Sequence, residues 1–456
     1  MKLSTFLNRE VDFTKGNNAA NLLLFAIPII LGALLQNLYH SADTVVLGNY
    51  VGAEALAAAN VSGTLTNLLI GFCTGMSAGC TVVVAKAQGK GDKKELEKKI
   101  AISYTFSIVL GVLASVLGFL LIPLMIKVSS MSGNVAVEAK IYLKIFIGGL
   151  IFTIIYNNTA GIFRALGDMM SPFFILLFTC TLNIVLDLVF SIVFNAGIAG
   201  VAAATVICQF ISVVMGTVIL YKKKGFKCFA GRNEIKEGWN TIKDTMDIGI
   251  SAGIQSSIIS FSNIFVWRYI NSYSTAIVAG VGIGHRIDNF LGLPATGFEA
   301  AITTFTSQNI GAGQNKRIKG GIRSCLIIAI SMTFLLNAII YPFAPQIASI
   351  FNKEKDVMQP AIDMMRLLMP LYFTNTIRQI LTGVLRAYKK SSGPMILSIA
   401  GMVVLRQICL AVTKLMGQKI IHVYISYPLG WISAFLFVLA YYIYEMKKIR
   451  RNKTTQ

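Results

Sequence analysis

Apolar residues in this chain come in unbroken blocks of about twenty, divided by short polar breaks, rather than alternating with polar ones at a strand or surface-helix period. A block of ~20 residues is what an α-helix needs to cross the hydrocarbon of a bilayer. In lipid, helices and closed barrels alone satisfy their own backbone groups. Twelve such blocks predict twelve spans, at 20–42, 56–84, 101–126, 141–163, 172–194, 198–221, 245–270, 276–308, 322–345, 361–385, 394–416 and 423–446. The second and eighth are long and glycine-rich, which predicts bends or tilts. The first block is too long for the apolar region of a signal peptide and no small-residue cleavage site follows it, so the chain is expected to insert unprocessed.

Composition agrees with this pattern. The 456 residues are 55% hydrophobic and 13% charged, with a mean hydropathy of +0.67. A soluble chain is about a quarter charged, so a cytosolic globular protein and a disordered one are both excluded. The net charge of +21 invites a nucleic-acid reading until the basic residues are assigned to breaks. Of the 41, 29 fall on one alternating set of breaks and tails, 7 on the opposite set, and 5 inside spans. That bias puts both termini in the cytoplasm, in a multi-pass protein of the cell membrane. The charge then reports topology and contact with lipid headgroups, with no nucleic-acid partner.

The chain also repeats. At a constant offset of 222, Gly89 and Gly91 map onto Gly311 and Gly313, Gly161, Arg164 and Ala165 onto Gly383, Arg386 and Ala387, and Pro172 onto Pro394. The longest polar break, Lys222–Asp244, separates the halves. The expected organisation is an N-terminal six-helix bundle over 1–221, a basic cytoplasmic linker over 222–244, and a C-terminal bundle over 245–456. Because six is even, the halves are parallel repeats related by a pseudo-twofold axis along the membrane normal, flanking a cavity opened alternately to each side.

Most enzyme signatures are missing: no HExxH, GxxxxGK[ST] or CxxC occurs, and no metal or organic cofactor is expected. The run Gly280–His285 lies inside an apolar helix and reads as close packing through small residues. The seven cysteines and three histidines are scattered, which favours packing thiols and gives no zinc spacing. Informative residues are instead the acids inside spans, since a carboxylate in hydrocarbon is expensive and lines a functional cavity by default. Asp187 lies in the fifth span with Asn183 one turn earlier on the same face. Oxygen donors of this kind suit Na⁺, burial suits a proton carrier, and a hydrogen-bonded structural pair is the plain alternative. Asp43, the only acid of the first span, reads equally as interfacial or buried. Thr205 and Gln209 offer further oxygens at i,i+4 on the sixth span, and Pro28 should bend the first. Asn157 and Gln255 are further polar side chains inside spans that could line the cavity. Arg286 and Asp288 on the eighth span, Arg268 on the seventh, and Asp363, Arg366 and Arg378 on the tenth read best as structural ion pairs.

With these residues in view, the chain resembles the multidrug and toxic compound extrusion (MATE) family over essentially its whole length. The resemblance is carried by Pro28…Gln36-Asn-Leu-Tyr39…Asp43-Thr…Gly48, Gly52-Ala-Glu-Ala-Leu-Ala57, Gln88-Gly-Lys-Gly-Asp92, Phe163-Arg-Ala-Leu-Gly-Asp168 with Pro172, Leu182-Asn183…Leu186-Asp187, and Gly200-Val-Ala-Ala-Ala-Thr205. It implies an all-α membrane protein of six plus six helices, working as an antiporter that exports small amphipathic, often cationic, organic compounds against H⁺ or Na⁺. In one branch of the family the ion site lies in the N-terminal bundle, where Asp43, Asn183, Asp187 and Thr205 match its positions and Pro28 its bending proline. Candidate cavity residues are Gln36, Tyr39, Asn157, Gln209, Gln255 and Arg286. The seventh span carries Gln255 and no acid after Asp247, so no second ion site is expected there. A monomer is expected, with membrane lipids as neighbours. A flippase for lipid-linked saccharides is the alternative within this architecture, kept open by Arg268, Arg286 and Arg378.

Overall fold

A computed structural model describes residues 10–128, 133–415, 417 and 419–454; Lys2 and Arg9 of the topology count lie outside them. Among the described residues there is no strand, and the chain is a succession of helices. In the first half these are α1 (Asn18–Val46), α2 (Ala53–Lys90), α3 (Lys93–Val128), α4 (Gly133–Gly148), α5 (Leu150–Leu166), α6 (Met170–Leu188) and α7 (Gly197–Val218). A short α8 (Arg232–Glu237) leads to α9 (Trp239–Ile270), α10 (Thr275–Gly311), α11 (Asn315–Ile340), α12 (Ala344–Phe351), α13 (Lys355–Leu368), α14 (Tyr372–Ala387), α15 (Ser392–Ile399), α16 (Arg406–Leu415) and α17 (Ile420–Thr454).

Nine described helices are long and apolar enough to span a membrane, ten counting the bent pair α4–α5 as one. The two remaining expected spans, α10 and α13–α14, carry the internal charges: Arg286, Asp288 and Glu299 on one, and Asp363, Arg366, Arg378 and Arg386 on the other. Lipid contact shows on α3, where Leu113, Leu117, Leu120 and Leu124 are all exposed, Leu120 by 72%.

Polar caps and glycines set the helix ends. Asn17 Oδ1 accepts from the amides of Ala19 (2.9 Å) and Ala20 (3.2 Å), and Asp92 Oδ1 from those of Lys94 (2.9 Å) and Glu95 (3.2 Å). Such caps satisfy amides that no helical carbonyl reaches. Left-handed Gly91 and Gly167 close α2 and α5. The sharp break falls in the fourth span, where α4 and α5 meet at 46° around Gly149. A Cβ there would lie 2.4 Å from Val206 Cγ2 of α7. The glycine-rich second and eighth spans are each one uninterrupted helix. Pro370 interrupts the tenth span with a 3₁₀ turn, Met369–Leu371, whose Met369 carbonyl accepts from the Tyr372 amide and, at 2.6 Å, from Asn337 Nδ2.

The chain falls into two compact units. The first holds the described residues of Met1–Lys15, with Ile27–Gly253 and Ser307–Gly313; the second holds Gly16–Ala26, Ile254–Thr306 and Gln314–Gln456. Inside the first unit, Gly75 and Gly79 of α2 meet Gly249 and Gly253 of α9. A Cβ on Gly75 would stand 2.1 Å from the Gly253 nitrogen, and one on Gly79 2.3 Å from the Thr245 carbonyl. Small residues at i,i+4 on both helices allow this backbone-to-backbone approach. The repeat-related glycines also meet in the first unit: a Cβ on Gly89 would lie 1.9 Å from the Gln308 carbonyl, and one on Gly311 2.1 Å from the Lys86 carbonyl. We expect Gly89→Val and Gly311→Val each to cost roughly 1–3 kcal/mol through overpacking. Thermal unfolding in detergent measures this, and unchanged midpoints would remove the glycines' structural role. In the second unit, Tyr424, Val266, Ile270, Met364, Met369 and Leu368 form a dry core.

Candidate functional site

Four helices of the first unit bring the site together. Asp43 is on α1, Asn183 and Asp187 on α6, Thr205 on α7, and Tyr142 of α4 lies within electrostatic range of both acids. Asp187 and Asn183 are buried completely, Thr205 almost so, and Asp43 is half-buried. The i,i+4 spacing puts Asn183 and Asp187 on one face of α6. Of the three apolar residues between them, Ile184 and Val185 are exposed and Leu186 is half-buried, so this turn of the helix points its acid and amide inward and its aliphatic side chains to lipid.

The two carboxyl groups are neighbours, both lying against the Asn183 amide. Two carboxylates gathered on one amide repel each other, which a proton or a cation between them would relieve. Above them the Asn183 amide, turned with its nitrogen towards the acids, donates to Asp187 Oδ2 and Asp43 Oδ1, both at 3.1 Å. Tyr39 Oη and Thr205 Oγ1 are 3.1 Å apart, and Thr205 also donates to the Val201 carbonyl at 3.1 Å. Asp187 Oδ1 is buried with no described partner. Both acid-bearing helices run into π turns just beyond their acids, Leu47–Val51 after α1 and Val189–Val193 after α6. Turns of this kind widen the helix and recur at functional positions.

The other sequence candidates scatter. Tyr39 pairs with Thr205 and is itself a neighbour of Asp43, whereas Gln36 is exposed and Asn157 bonds within its own helix, Nδ2 to the Thr153 carbonyl at 2.8 Å. Gln209 is half-buried, with Oε1 lacking a partner. Pro28 stands inside α1, where its missing N–H leaves the Leu24 carbonyl without a helical donor. In the second unit Arg286 is exposed. Gln255 accepts from Arg386 Nη2 at 3.2 Å, while Arg386 Nη1 is ion-paired with Glu299. Arg378 is bound by Asn375 Oδ1 at 2.8 Å from Nη2, and Arg406 by Ser262 Oγ (2.9 Å) and Asn263 Oδ1 (2.8 Å). Sequence reasoning missed Tyr142 and the Arg386–Glu299 pair. Tyr142 sits between Lys140 and Lys144 in a stretch with no motif, and Arg386 stands out in the sequence only as the repeat partner of Arg164.

Outside the spans, Lys224 bridges Asp168 (2.9 Å) and Glu10. Asp168 also accepts from the Ser171 amide at 3.0 Å and hydroxyl at 2.7 Å, capping α6. Burial opposes charge on both Asp168 and Lys224, but their mutual hydrogen bonds outweigh it, holding the carboxyl low and the ammonium high. A depressed carboxyl stabilises the fold above its ordinary value of 3.8 and loses that contribution as pH falls further. A raised ammonium stabilises below 10.5 and loses it as pH rises beyond. The pair should therefore be constant across neutral pH. Lys224→Ala is expected to lower the thermal midpoint equally at pH 6 and pH 8; a loss confined to one of them would refute this.

Fold and site together define a polytopic helical membrane protein with ionisable groups inside its spans, the arrangement of a transporter rather than an enzyme. The chain belongs to the MatE family, whose model matches residues 28–189 and 252–412. It is 29% identical over 412 residues to the probable multidrug resistance protein YpnP of Bacillus subtilis, covering 90% of this chain and 92% of that one. Its identity to the probable multidrug resistance protein NorM of Thermotoga maritima is 25%, over 83% of this chain and 82% of that one. It also resembles the multidrug export protein MepA of Staphylococcus aureus at 20% identity, over 82% and 83%. Among solved structures, a MATE in complex with MaL6 superposes with a TM-score of 0.90 over 97% of this chain and all of that one, at 20% identity.

Proposed function

We propose that this protein is a cation-coupled antiporter that exports small amphipathic organic compounds, many of them cationic, by alternating access. The observation that carries the reading is the carboxyl pair Asp43–Asp187, capped by Asn183 in the interior of the first unit. Relatives named for multidrug resistance and multidrug export support the substrate class. The reading assigns the ion site to the N-terminal bundle, residues 1–221, followed by the linker 222–244 and the C-terminal bundle 245–456.

In this reading the pair cycles between a singly protonated state and a neutralised one. A proton arriving from outside occupies the second carboxylate. A Na⁺ ion would be met by oxygens of Asp43, Asp187 and Thr205, and by Asn183 once its amide turns its oxygen inward, since hard cations take oxygen ligands. Na⁺ turns the Asn183 donors away and a proton removes the charge that strengthens them, so either ion loosens the tie between α1 and α6. That change would couple the ion to substrate release, and discharge to the cytoplasm would restore it. The deciding experiment measures efflux from proteoliposomes under a Na⁺ gradient and a pH gradient imposed separately. Export driven by one or both supports the antiport, and export unaffected by either overturns it.

A further inference from the structure

Residues 10–15, ahead of α1, run across the ends of two helices and are held there at several points. The Val11 amide donates to the Gly167 carbonyl at 3.0 Å, and a Cβ on Gly167 would lie 2.2 Å from the Val11 carbonyl. Phe13 is wholly buried. Its amide donates to Gln308 Oε1 at 3.1 Å, and its carbonyl accepts from Asn309 Nδ2 at 3.1 Å. Gln308 Nε2 donates in turn to the Ala165 carbonyl at 2.8 Å. One buried amide side chain thus clasps the strap on one side and the end of α5 on the other. Glu10 adds its ion pair with Lys224. All these residues lie in the first unit, and on the topology read from the basic residues they face the cytoplasm.

A mere tail would not carry this construction. Burying Gln308 in an apolar seat demands that both ends of its amide be satisfied, and only the strap and α5 together satisfy them. When the end of α10 leaves the end of α5, Gln308 loses the Ala165 carbonyl and Phe13 loses its burial in the same event. We propose that residues 10–15 form a latch across the cytoplasmic ends of α5 and α10, closed by Gln308 and Phe13, that lifts as one piece whenever those ends part. The latch sets how readily the cytoplasmic side opens, and it is independent of which ion drives export.

Two measurements test it. The first is hydrogen exchange on the wild-type protein in nanodiscs, which needs no transport assay. The amides of Val11 and Phe13 should exchange in one concerted step with the amides of residues 305–313, and Gln308→Ala should accelerate the strap at least tenfold while leaving the middle of α11 unchanged. Strap amides exchanging at the rate of an open loop, or with kinetics unrelated to 305–313, would overturn the latch. The second joins Thr14→Cys to Ala312→Cys, in a background without the native cysteines, with a reducible bis-maleimide. Cross-linking should stop export at least tenfold and reduction should restore it; full export while cross-linked would overturn the latch. Should the uncross-linked protein fail to export at all, the antiport reading fails, and the exchange result still decides the latch.

Discussion

Asp187→Asn should abolish gradient-driven export while leaving the protein folded. Asparagine keeps the shape and the hydrogen-bonding capacity of the buried side chain but can neither take up nor release a proton, and it offers Na⁺ no charge. The loss should be at least about tenfold, equivalent to ~1.4 kcal/mol on the barrier. Asp43→Asn should do the same. In the proposed antiport the two carboxyls act as one titrating unit, so Asp43→Asn with Asp187→Asn should be no worse than either alone, the signature of residues that couple directly. Proteoliposome efflux measures all three, alongside a thermal-shift control for folding. Full export by Asp187→Asn would sink the ion-site assignment, and strictly additive losses would sink the shared-pair geometry.

Arg386→Met should destabilise the protein strongly, by about 3–5 kcal/mol, because it leaves Glu299 charged and unpaired between helices. The pair is largely sheltered, with side-chain exposures of 13% and 18%, so water rescues neither partner. Arg386 also supplies the donor to Gln255, which would lose a partner in the same substitution. The double variant Arg386→Met with Glu299→Leu should recover most of the loss, since replacing both members of a buried pair by apolar groups is close to neutral. Thermal unfolding in detergent distinguishes these outcomes. A mild single variant would mean that Glu299 finds water or another cation. A double variant as damaged as the single would mean that the guanidinium's packing, rather than its charge, matters.

The two cases show where sequence reading succeeds. Asp187 and Asn183 were legible because a helical period of 3.6 fixes which residues share a face, and because an acid in an apolar block needs a reason to be there. Asp43 was not assignable by the same argument, since its place near a helix end suits the interface as well as the interior. Its role rests on α1 lying beside α6, 144 residues away in sequence, and no local pattern encodes that neighbourhood. Glu299 is similar: an acid four residues before Thr303 in a long polar-flecked helix says nothing about a guanidinium 87 positions on.

By itself the sequence determined the membrane, the helical class, the topology and the repeat, because these follow from local hydrophobicity, charge bias and landmark spacing, which do not depend on how the helices meet. It also supplied the glycines at the offset of 222. Only the tertiary structure decided what those residues do. It turned the first matched glycine pair into a seam where backbones touch, joined two distant carboxylates under one asparagine, and laid residues 10–15 over the ends of α5 and α10. Each of these is a long-range juxtaposition, fixed by which faces of the helices fit together rather than by any stretch of the chain read alone.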